Sequence, residues 1–294
     1  MADLTIFTGI YSPDIVAMLV GGLLLTGSIA GLLAGLLGVG GGIVIVPVLY
    51  LLFTYLDMPS SIVMHLAVAT SLVTIIPISI SSAKSHHTKG AVDLDVLKSW
   101  GPFILIGAAI GGAASGSIDS CYLQLLFGMI ALYVSVSMII SREKTKPKDA
   151  AKDGNTDQIS PAGRGLRGSG IAGAIGGASA LMGIGGGAIA VPILSALALP
   201  VHRAVGTAAA FGFLIALPGS IGFIWSGIGV DMRPPLSLGF VSLPAAIIIF
   251  STSMFTIRLG SRIAHALPAA RLRRAFGGFL LLSALNILSG VVAN

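Results

Sequence analysis

Charge is scarce in this sequence. Asp, Glu, Lys and Arg together make up 10% of the 294 residues, whereas 55% are hydrophobic. A soluble domain usually carries about 25% charged residues, so the composition excludes an ordinary soluble domain. Apolar stretches long enough to cross a bilayer as helices recur along the chain. The sequence therefore predicts an all-α polytopic membrane protein that is embedded in the lipid bilayer.

Acidic residues are missing from the interiors of the apolar stretches. All eleven lie in loops or at segment ends: Asp3, Asp14, Asp57, Asp93, Asp95, Asp119, Glu143, Asp149, Asp153, Asp157 and Asp231. The seventeen basic residues are placed in the same way. This excludes a membrane-embedded carboxylate relay of the kind that pumps use. The formal charge of +6 comes from loop residues that set orientation, so we predict no nucleic-acid partner.

Metal-ligand and nucleophile patterns are also lacking. There is one cysteine, Cys121, and the five histidines are dispersed apart from the loop pair His86-His87. Tetrahedral metal sites need several convergent ligands, so we predict no metal and no cofactor. No Ser/His/Asp spacing or phosphate-binding loop occurs. We expect a protein that is not an enzyme.

Glycine, by contrast, is abundant and patterned. The stretch G-V-G-G-G at 38–42 is followed by Pro47, and G-I-G-G-G at 183–187 is followed by Pro192 at the same distance. The copies lie 145 residues apart. Each glycine weakens a helix interior by about 1 kcal/mol relative to alanine, so consecutive glycines predict a broken backbone with positive φ angles. Such breaks survive in a membrane only when they are buried in protein or line a polar cavity.

The chain reads as two related halves. Ten apolar segments fall five to a half, and H-L-A-V-A-T at 65–70 matches H-R-A-V-G-T at 202–207. We predict a first transmembrane repeat at 1–140, a cytoplasmic linker at 141–169 and a second repeat at 170–294. Lys and Arg concentrate at 83–99, 141–169 and 258–274, whereas the loops at 57–61, 118–120 and 226–235 hold only Arg233. By the positive-inside rule, the halves are inverted repeats and both chain ends face outward.

The two glycine stretches predict a ligand site. Each pair of segments around a break is expected to form a glycine-broken hairpin whose tip lies near the membrane midplane, where the two tips should meet. The short segments 170–184 and 187–200 favour a re-entrant hairpin, whereas segment 14–37 is long enough to span, so spanning and re-entry both stay open. The helices are expected to restart at Ile43 and Ala188. The first turn of such a helix presents unpaired N–H groups and about half a positive charge, which suit a small anion. The predicted substrate-binding residues are Gly38, Gly40, Gly41, Gly42, Ile43, Thr70, Ser71, Gly183, Gly185, Gly186, Gly187, Ala188 and Thr207.

Packing is the competing interpretation for several of these residues. Glycines spaced like Gly107 and Gly111 usually let helices approach closely, and threonine often bonds back to its own helix. His65 and His202 are candidates for gating or coupling, because histidine changes charge near neutral pH. Interfacial packing is the alternative for both histidines.

The glycine motifs resemble those of the TauE/SafE family of sulfite exporters, also called TSUP. The resemblance rests on G-L-L-x-G-L-L-G-V-G-G-G-x-x-x-V-P at 31–47 and on G-I-G-G-G-A-I-A-V-P at 183–192. It implies transport of sulfite, sulfoacetate or related organosulfonates across the bacterial inner membrane, with both glycine hairpins lining the path. One departure is Ala180 where the first copy has Gly35.

The function expected from these observations is secondary transport of a small sulfur-containing oxyanion by alternating access. Two alternatives remain at this stage. The first is an anion channel, and the second is a non-transporting membrane scaffold or maturation factor. The expected partners are a small anionic substrate and the lipid bilayer, and a homo-oligomer is left open.

Overall fold

The structure is a computed structural model that describes residues 13–37, 41–140, 165–263 and 269–293. These residues form ten α-helices. The first five are α1 (Pro13–Leu37), α2 (Gly42–Tyr55), α3 (Ser60–Thr88), α4 (Leu94–Ala114) and α5 (Ser120–Ile140). The next five are α6 (Gly165–Met182), α7 (Gly187–Ala196), α8 (Val201–Gly227), α9 (Leu243–Ile263) and α10 (Ala269–Ala293). A 3-10 turn, Ser115–Ser117, follows α4, and strands β1 (Ser237–Leu238) and β2 (Val241–Ser242) form an antiparallel hairpin before α9.

The helices have the lengths and surfaces of a protein embedded in lipid. Within the described residues, five stretches are long and apolar enough to cross a membrane: Pro13–Gly35, Ser60–Thr88, Leu94–Ser117, Ser120–Ile140 and Val201–Gly227. Large apolar side chains point outward, such as Phe255 at 81% and Trp225 at 79% exposure. A soluble protein would bury such side chains. The all-α polytopic membrane protein predicted from composition is confirmed.

Helices α3 and α8 form the centre of the molecule and run antiparallel. The ring of His65 lies beside Phe223, with 6.1 Å between ring centroids. Further along, Leu72 lies against Gly219 and Ser79 against Gly212. As the residue number rises in one helix it falls in the other, which defines opposite directions. Of these five stretches, Ser60–Thr88 is the most buried, with 78% of its most apolar 18 residues inside the protein.

Two helix pairs outside this centre pack through small residues. In α1, Gly27 and Gly31 lie against the backbone of Ile249 and Ser253 in α9. In α4, Gly107 and Gly111 face Gly173 and Gly177 in α6. A Cβ at Gly107 would collide with the Gly173 carbonyl oxygen. The packing interpretation of Gly107 and Gly111 is therefore confirmed, because close backbone approach requires residues without a side chain.

The connections between helices gather at two ends. At one end, which we call the Lys89 end, residues 89–93 lie beside the start of α8, where Ala91 contacts Gly206. At the other, the Arg233 end, residues 115–119 and 228–242 surround the start of α3, since His65 contacts Ser115, Ile118 and Phe240. Among the described connections this agrees with loop charge, since 89–93 carries Lys89 at one end while 115–119 and 228–242 carry only one basic residue, Arg233, at the other. The inverted-repeat relation itself stays a prediction, as do the domain boundaries.

Some segment boundaries differ from those expected. The helices α3 and α4 extend into the predicted 83–99 loop, which shortens to 89–93. The apolar segment predicted after the 226–235 loop begins instead with the β1–β2 hairpin, and α9 starts only at Leu243. The predicted loop is too long because the prediction ends each helix at the polar residues of that loop. Lys and Ser are compatible with a helix that continues beyond the lipid. Most of the predicted linker, 141–164, lies outside the described residues.

Candidate functional site

The first glycine break ends at Gly41. This residue has φ 73° and ψ −20°, a left-handed conformation that favours glycine, and it caps the N-terminus of α2. Its carbonyl oxygen accepts hydrogen bonds from the N–H groups of Val44 and Ile45 at 3.0 and 3.2 Å. The helix begins at Gly42, one residue before the predicted restart at Ile43. The predicted site residues Gly38 and Gly40 lie outside the described residues.

The second break repeats this geometry. Gly186 has φ 76° and ψ −26° and caps α7, which begins at Gly187 rather than at the predicted Ala188. Its carbonyl accepts from the N–H groups of Ile189 and Ala190 at 3.1 and 2.7 Å. Gly183 also has a positive φ, 67°. The predicted left-handed breaks are confirmed at Gly41, Gly183 and Gly186.

The two breaks contact each other. Gly42, at the start of α2, is so close to the second break that a Cβ on Gly42 would overlap the Gly183 carbonyl oxygen. The same Cβ would lie 3.2 Å from the Cα of Ile184. The Ser71 hydroxyl donates to the Gly183 carbonyl at 2.8 Å. The structure thus brings Gly42, Ser71 and Gly183 into one buried cluster.

This cluster lies level with the middles of the central helices. Gly42 is beside Ile75, near the midpoint of α3, and Gly186 is beside Ile215, near the midpoint of α8. The carbonyl of Gly185 lies against Gly212 in the same region of α8. A backbone break at this depth is tolerated because protein surrounds it. Gly41, Gly42 and residues 183–187 are all buried.

Each break leaves backbone donors at a helix start. In the described part of the chain, the N–H groups of Gly42, Ile43, Gly187 and Ala188 have no hydrogen-bond acceptor. Ile43 is 2% and Ala188 is 7% exposed. First-turn N–H groups carry part of the positive end of the helix dipole. The arrangement can therefore stabilise negative charge without a buried cationic side chain.

The hydroxyls of Thr70 and Thr207 join the two halves of the chain. Thr70 Oγ1 accepts from the Ser242 N–H at 3.0 Å, just before α9. Thr207 Oγ1 accepts from the Asp93 N–H at 2.9 Å, just before α4. Both threonines are completely buried. Each hydroxyl oxygen therefore positions a helix start from the other half, and its own hydrogen has no acceptor among the described residues.

His65 and His202 have different surroundings, although they occupy matching sequence positions. His65 Nε2 lies 3.0 Å from the carbonyl oxygens of both Ser115 and Ile118, so this nitrogen carries the hydrogen and donates. The ring packs on Phe240, with centroids 4.9 Å apart. His202 is exposed at the start of α8. Neither lies in the cluster of glycine breaks, and the role of both in coupling stays untested.

Sequence reasoning missed an ion pair at the Lys89 end, in which the carboxylate is buried and the arginine is partly exposed. Asp93 caps α4, where its Oδ1 accepts from the N–H groups of Asp95 and Val96 at 3.1 and 3.0 Å. Its Oδ2 lies 3.1 Å from Arg203 in α8. The signal was available in part, because Asp before a helical stretch is a favoured N-cap. The partner Arg203 could be found only from the packing of α4 on α8.

These features define a polytopic helical membrane protein with two buried helix starts at its centre. The profile of the family described as "Sulfite exporter TauE/SafE" matches residues 23–287. The chain belongs to this family of membrane transporters. Within the residues the structure describes, no cluster of three or more His, Cys, Asp or Glu side chains could hold a metal ion.

Several curated relatives carry matching names. The chain is 36% identical to a "Probable membrane transporter protein" of Haemophilus influenzae over 264 residues, covering 90% of this chain and 96% of that one. It is 29% identical to "Probable membrane transporter protein MJ0441" of Methanocaldococcus jannaschii, covering 85% and 88% of the two chains. It is 32% identical to "Probable membrane transporter protein YunE" of Bacillus subtilis, covering 70% and 78%. No solved structure matches the chain significantly.

Proposed function

We propose that this protein is a secondary transporter of small sulfur-containing oxyanions in the bacterial inner membrane. The substrate class includes sulfite, sulfoacetate and related organosulfonates, and the mechanism is alternating access. One observation carries the proposal. Two left-handed glycine breaks, Gly41 and Gly186, start helices whose buried N–H groups have no acceptor among the described residues, and the breaks touch through Gly42 and Gly183.

The chemistry of this cluster favours an anion over a cation. Helix N-termini attract negative charge, whereas a cation would need carboxylates or helix C-termini. The residues that form the cluster include no Asp or Glu among those described. The sulfonate or sulfite oxygens are strong acceptors and match several N–H donors at once. In our proposal Thr70 and Thr207, whose hydroxyl oxygens bond to helix starts outside the glycine cluster, supply further donors along the path.

The same contacts support alternating access. Thr70 and Thr207 each fasten a helix start from the opposite half of the chain. The Thr207 contact lies at the Lys89 end beside the Asp93–Arg203 ion pair, and the Thr70 contact lies toward the Arg233 end. A transporter that opens its two ends in turn needs closures of this kind at both ends. In our proposal each contact releases when its own end opens.

Flux into proteoliposomes tests the proposed function. The purified full-length protein is reconstituted, and uptake of sulfite, sulfoacetate, taurine, isethionate and sulfate is measured over a range of concentrations. We expect saturable uptake of at least one sulfur oxyanion, with competition between the substrates that are taken up. Currents that do not saturate at modest concentration would indicate an anion channel instead. A complete absence of flux for the whole panel would contradict transport and favour a scaffold.

A further inference from the structure

The last turns of α3 form a polar stretch that the glycine cluster does not use. Nine of the eleven residues at 79–89, S-I-S-S-A-K-S-H-H-T-K, carry hydroxyl, imidazole or amine groups. Such a run is unusual in a helix that spans a membrane, because each polar group loses water when it is buried. This stretch runs from the level of the glycine breaks to the Lys89 end.

A small cavity opens beside this stretch. Its volume is about 60 Å³, and it is lined by Gly35, Ser81, Ser82, Ser85, His86, Lys89 and Ile257. By this measure a water needs about 10–15 Å³, so the cavity has room for about four waters or one small polyatomic anion. Gly35 precedes the first glycine of the 38–42 motif by three residues. Ser82 follows Ile75, which contacts Gly42, by about 10 Å along the helix.

Ser82 supplies a second observation that points to a ligand. Its side chain is 3% exposed, yet its hydroxyl has no hydrogen-bond partner in the described part of the chain. Five of the eleven buried serines among the described residues donate to a carbonyl one turn back, as Ser79 does to Ile76. A buried hydroxyl without a partner costs about 1–3 kcal/mol. A ligand in the cavity would satisfy it.

The charges of the lining residues favour a negatively charged ligand. None of the described lining residues is acidic, and Lys89 contributes a full positive charge. The end of α3 contributes about half a negative charge, but the N–H groups of Lys89, Gly90 and Ala91 donate to its last carbonyls, those of His86 and His87. The ammonium group therefore outweighs the helix end. Three serine hydroxyls complete a set of donors for oxygen atoms.

We propose that this cavity is a second anion site, a vestibule that collects the transported oxyanion at the Lys89 end and passes it to the glycine breaks. Its ligand class is a small sulfonate, sulfite or sulfate ion held by Lys89, Ser81, Ser82 and Ser85. The assignment of a transported ligand rests on the proposed function, whereas anion binding in the cavity does not.

Cysteine labelling tests anion binding without any measurement of transport. Ser82→Cys is placed in a Cys121→Ser background and labelled with a sulfonate-bearing and a trimethylammonium-bearing methanethiosulfonate of similar size. With each rate divided by that reagent's rate with a free thiol, we expect the anionic reagent to react about tenfold faster, and isethionate to slow it. Adding Lys89→Gln should remove the preference. Lys84→Gln is the matched control, because Lys84 is an exposed lysine of the same helix and does not line the cavity. Ser85→Cys repeats the measurement at a less buried lining position.

A flux measurement then separates the two proposals. In proteoliposomes, Lys89→Gln should raise the half-saturating anion concentration about five- to tenfold and leave the maximal rate nearly unchanged. Anion-selective labelling without flux would uphold the cavity site and overturn the proposed transport. Flux without anion-selective labelling at either cysteine, or an equal effect of Lys84→Gln and Lys89→Gln, would overturn the cavity site.

Discussion

At the scale of single residues, the glycines at the two breaks have two separate requirements. Gly41 and Gly186 both need a positive φ, which costs other residues about 1–3 kcal/mol. They also lack space: a Cβ at Gly41 would lie 3.0 Å from the Ala30 carbonyl oxygen, and one at Gly186 would lie 2.5 Å from the end of Ile215. Backbone strain and crowding at the proposed anion site can therefore be tested separately.

Replacing either break glycine by valine should abolish flux while the protein still inserts. The β-branched side chain resists the left-handed conformation and crowds the N–H groups at the helix start. Flux of the proteoliposome substrate and membrane content are measured for Gly41→Val and Gly186→Val. The matched control is Gly229→Val, since Gly229 has φ 83° but nothing within 4 Å of its Cβ position. Normal flux in both break variants would show that these glycines serve packing only.

Histidine substitution tests whether His65 or His202 couples transport to protons. We expect the His65→Gln, His202→Gln double variant to keep most of the pH response of the wild-type protein. Glutamine can supply the N–H that His65 donates to Ser115 and Ile118, and His202 is exposed. The measurement is pH-dependent uptake of a strong-acid sulfonate, whose own charge does not change. Loss of a clear wild-type response in the double variant would make the histidines the coupling groups.

At the scale of elements, the start of α4 is held more firmly than its sequence suggests. Asp93 is 4% exposed and combines three interactions: its side chain caps α4, its carboxylate pairs with Arg203, and its N–H donates to Thr207. The matching start of α9 is held by Thr70 and Ser242. Each of the two helix starts thus donates an equivalent backbone hydrogen bond to a threonine. Only the α4 start has a carboxylate at that position, where the α9 start has Ser242.

Removing the Asp93 side chain should lower stability well beyond an ordinary surface change. Asp93→Ala loses the cap and leaves Arg203 without this carboxylate, which together cost about 2–3 kcal/mol. The control Asp95→Ala removes an exposed acidic residue from the same turn and should cost about 0.5 kcal/mol. Thermal unfolding in detergent compares the two variants. Equal transition temperatures would mean that the ion pair contributes nothing to the folded state.

At the scale of the whole molecule, helix directions connect the two ends. The antiparallel packing of α3 and α8 places residues 89–93 and 228–242 at opposite ends of the central pair. The positive-inside rule predicts that the Lys89 end is cytoplasmic. Helix packing thus places the two connections at opposite ends, and loop charge predicts which end faces the cytoplasm.

Cysteine accessibility tests this topology in a Cys121→Ser background. Single cysteines replace Thr88 and Asp231, which are exposed at the two ends, and Asn155 and Asn294, which lie outside the described residues. A membrane-impermeant thiol reagent should reach positions 231 and 294 from outside. Positions 88 and 155 should react only after the membrane is opened. Labelling of 155 and 294 from the same side would contradict the inverted repeats.

The sequence alone was sufficient for the class of protein, the ten helical segments and the position of the breaks. Low charge and long apolar runs determine membrane embedding, because the cost of burying charge acts on every residue separately. Consecutive glycines at 38–42 and 183–187 predict broken helices for an equally local reason, since a missing Cβ frees φ at that residue.

Only the tertiary structure decided which groups meet. The bonds from Ser242 to Thr70 and from Asp93 to Thr207 join residues 172 and 114 positions apart. The packing also gives different surroundings to residues at matching sequence positions. His65 is buried against two carbonyls, whereas His202 is exposed. The Ser82 hydroxyl likewise becomes a buried group without a hydrogen-bond partner among the described residues only because α1, α3 and α9 enclose it. Hydrogen bonds depend on approach to within about 3 Å, and helix packing sets that approach, whereas local sequence does not.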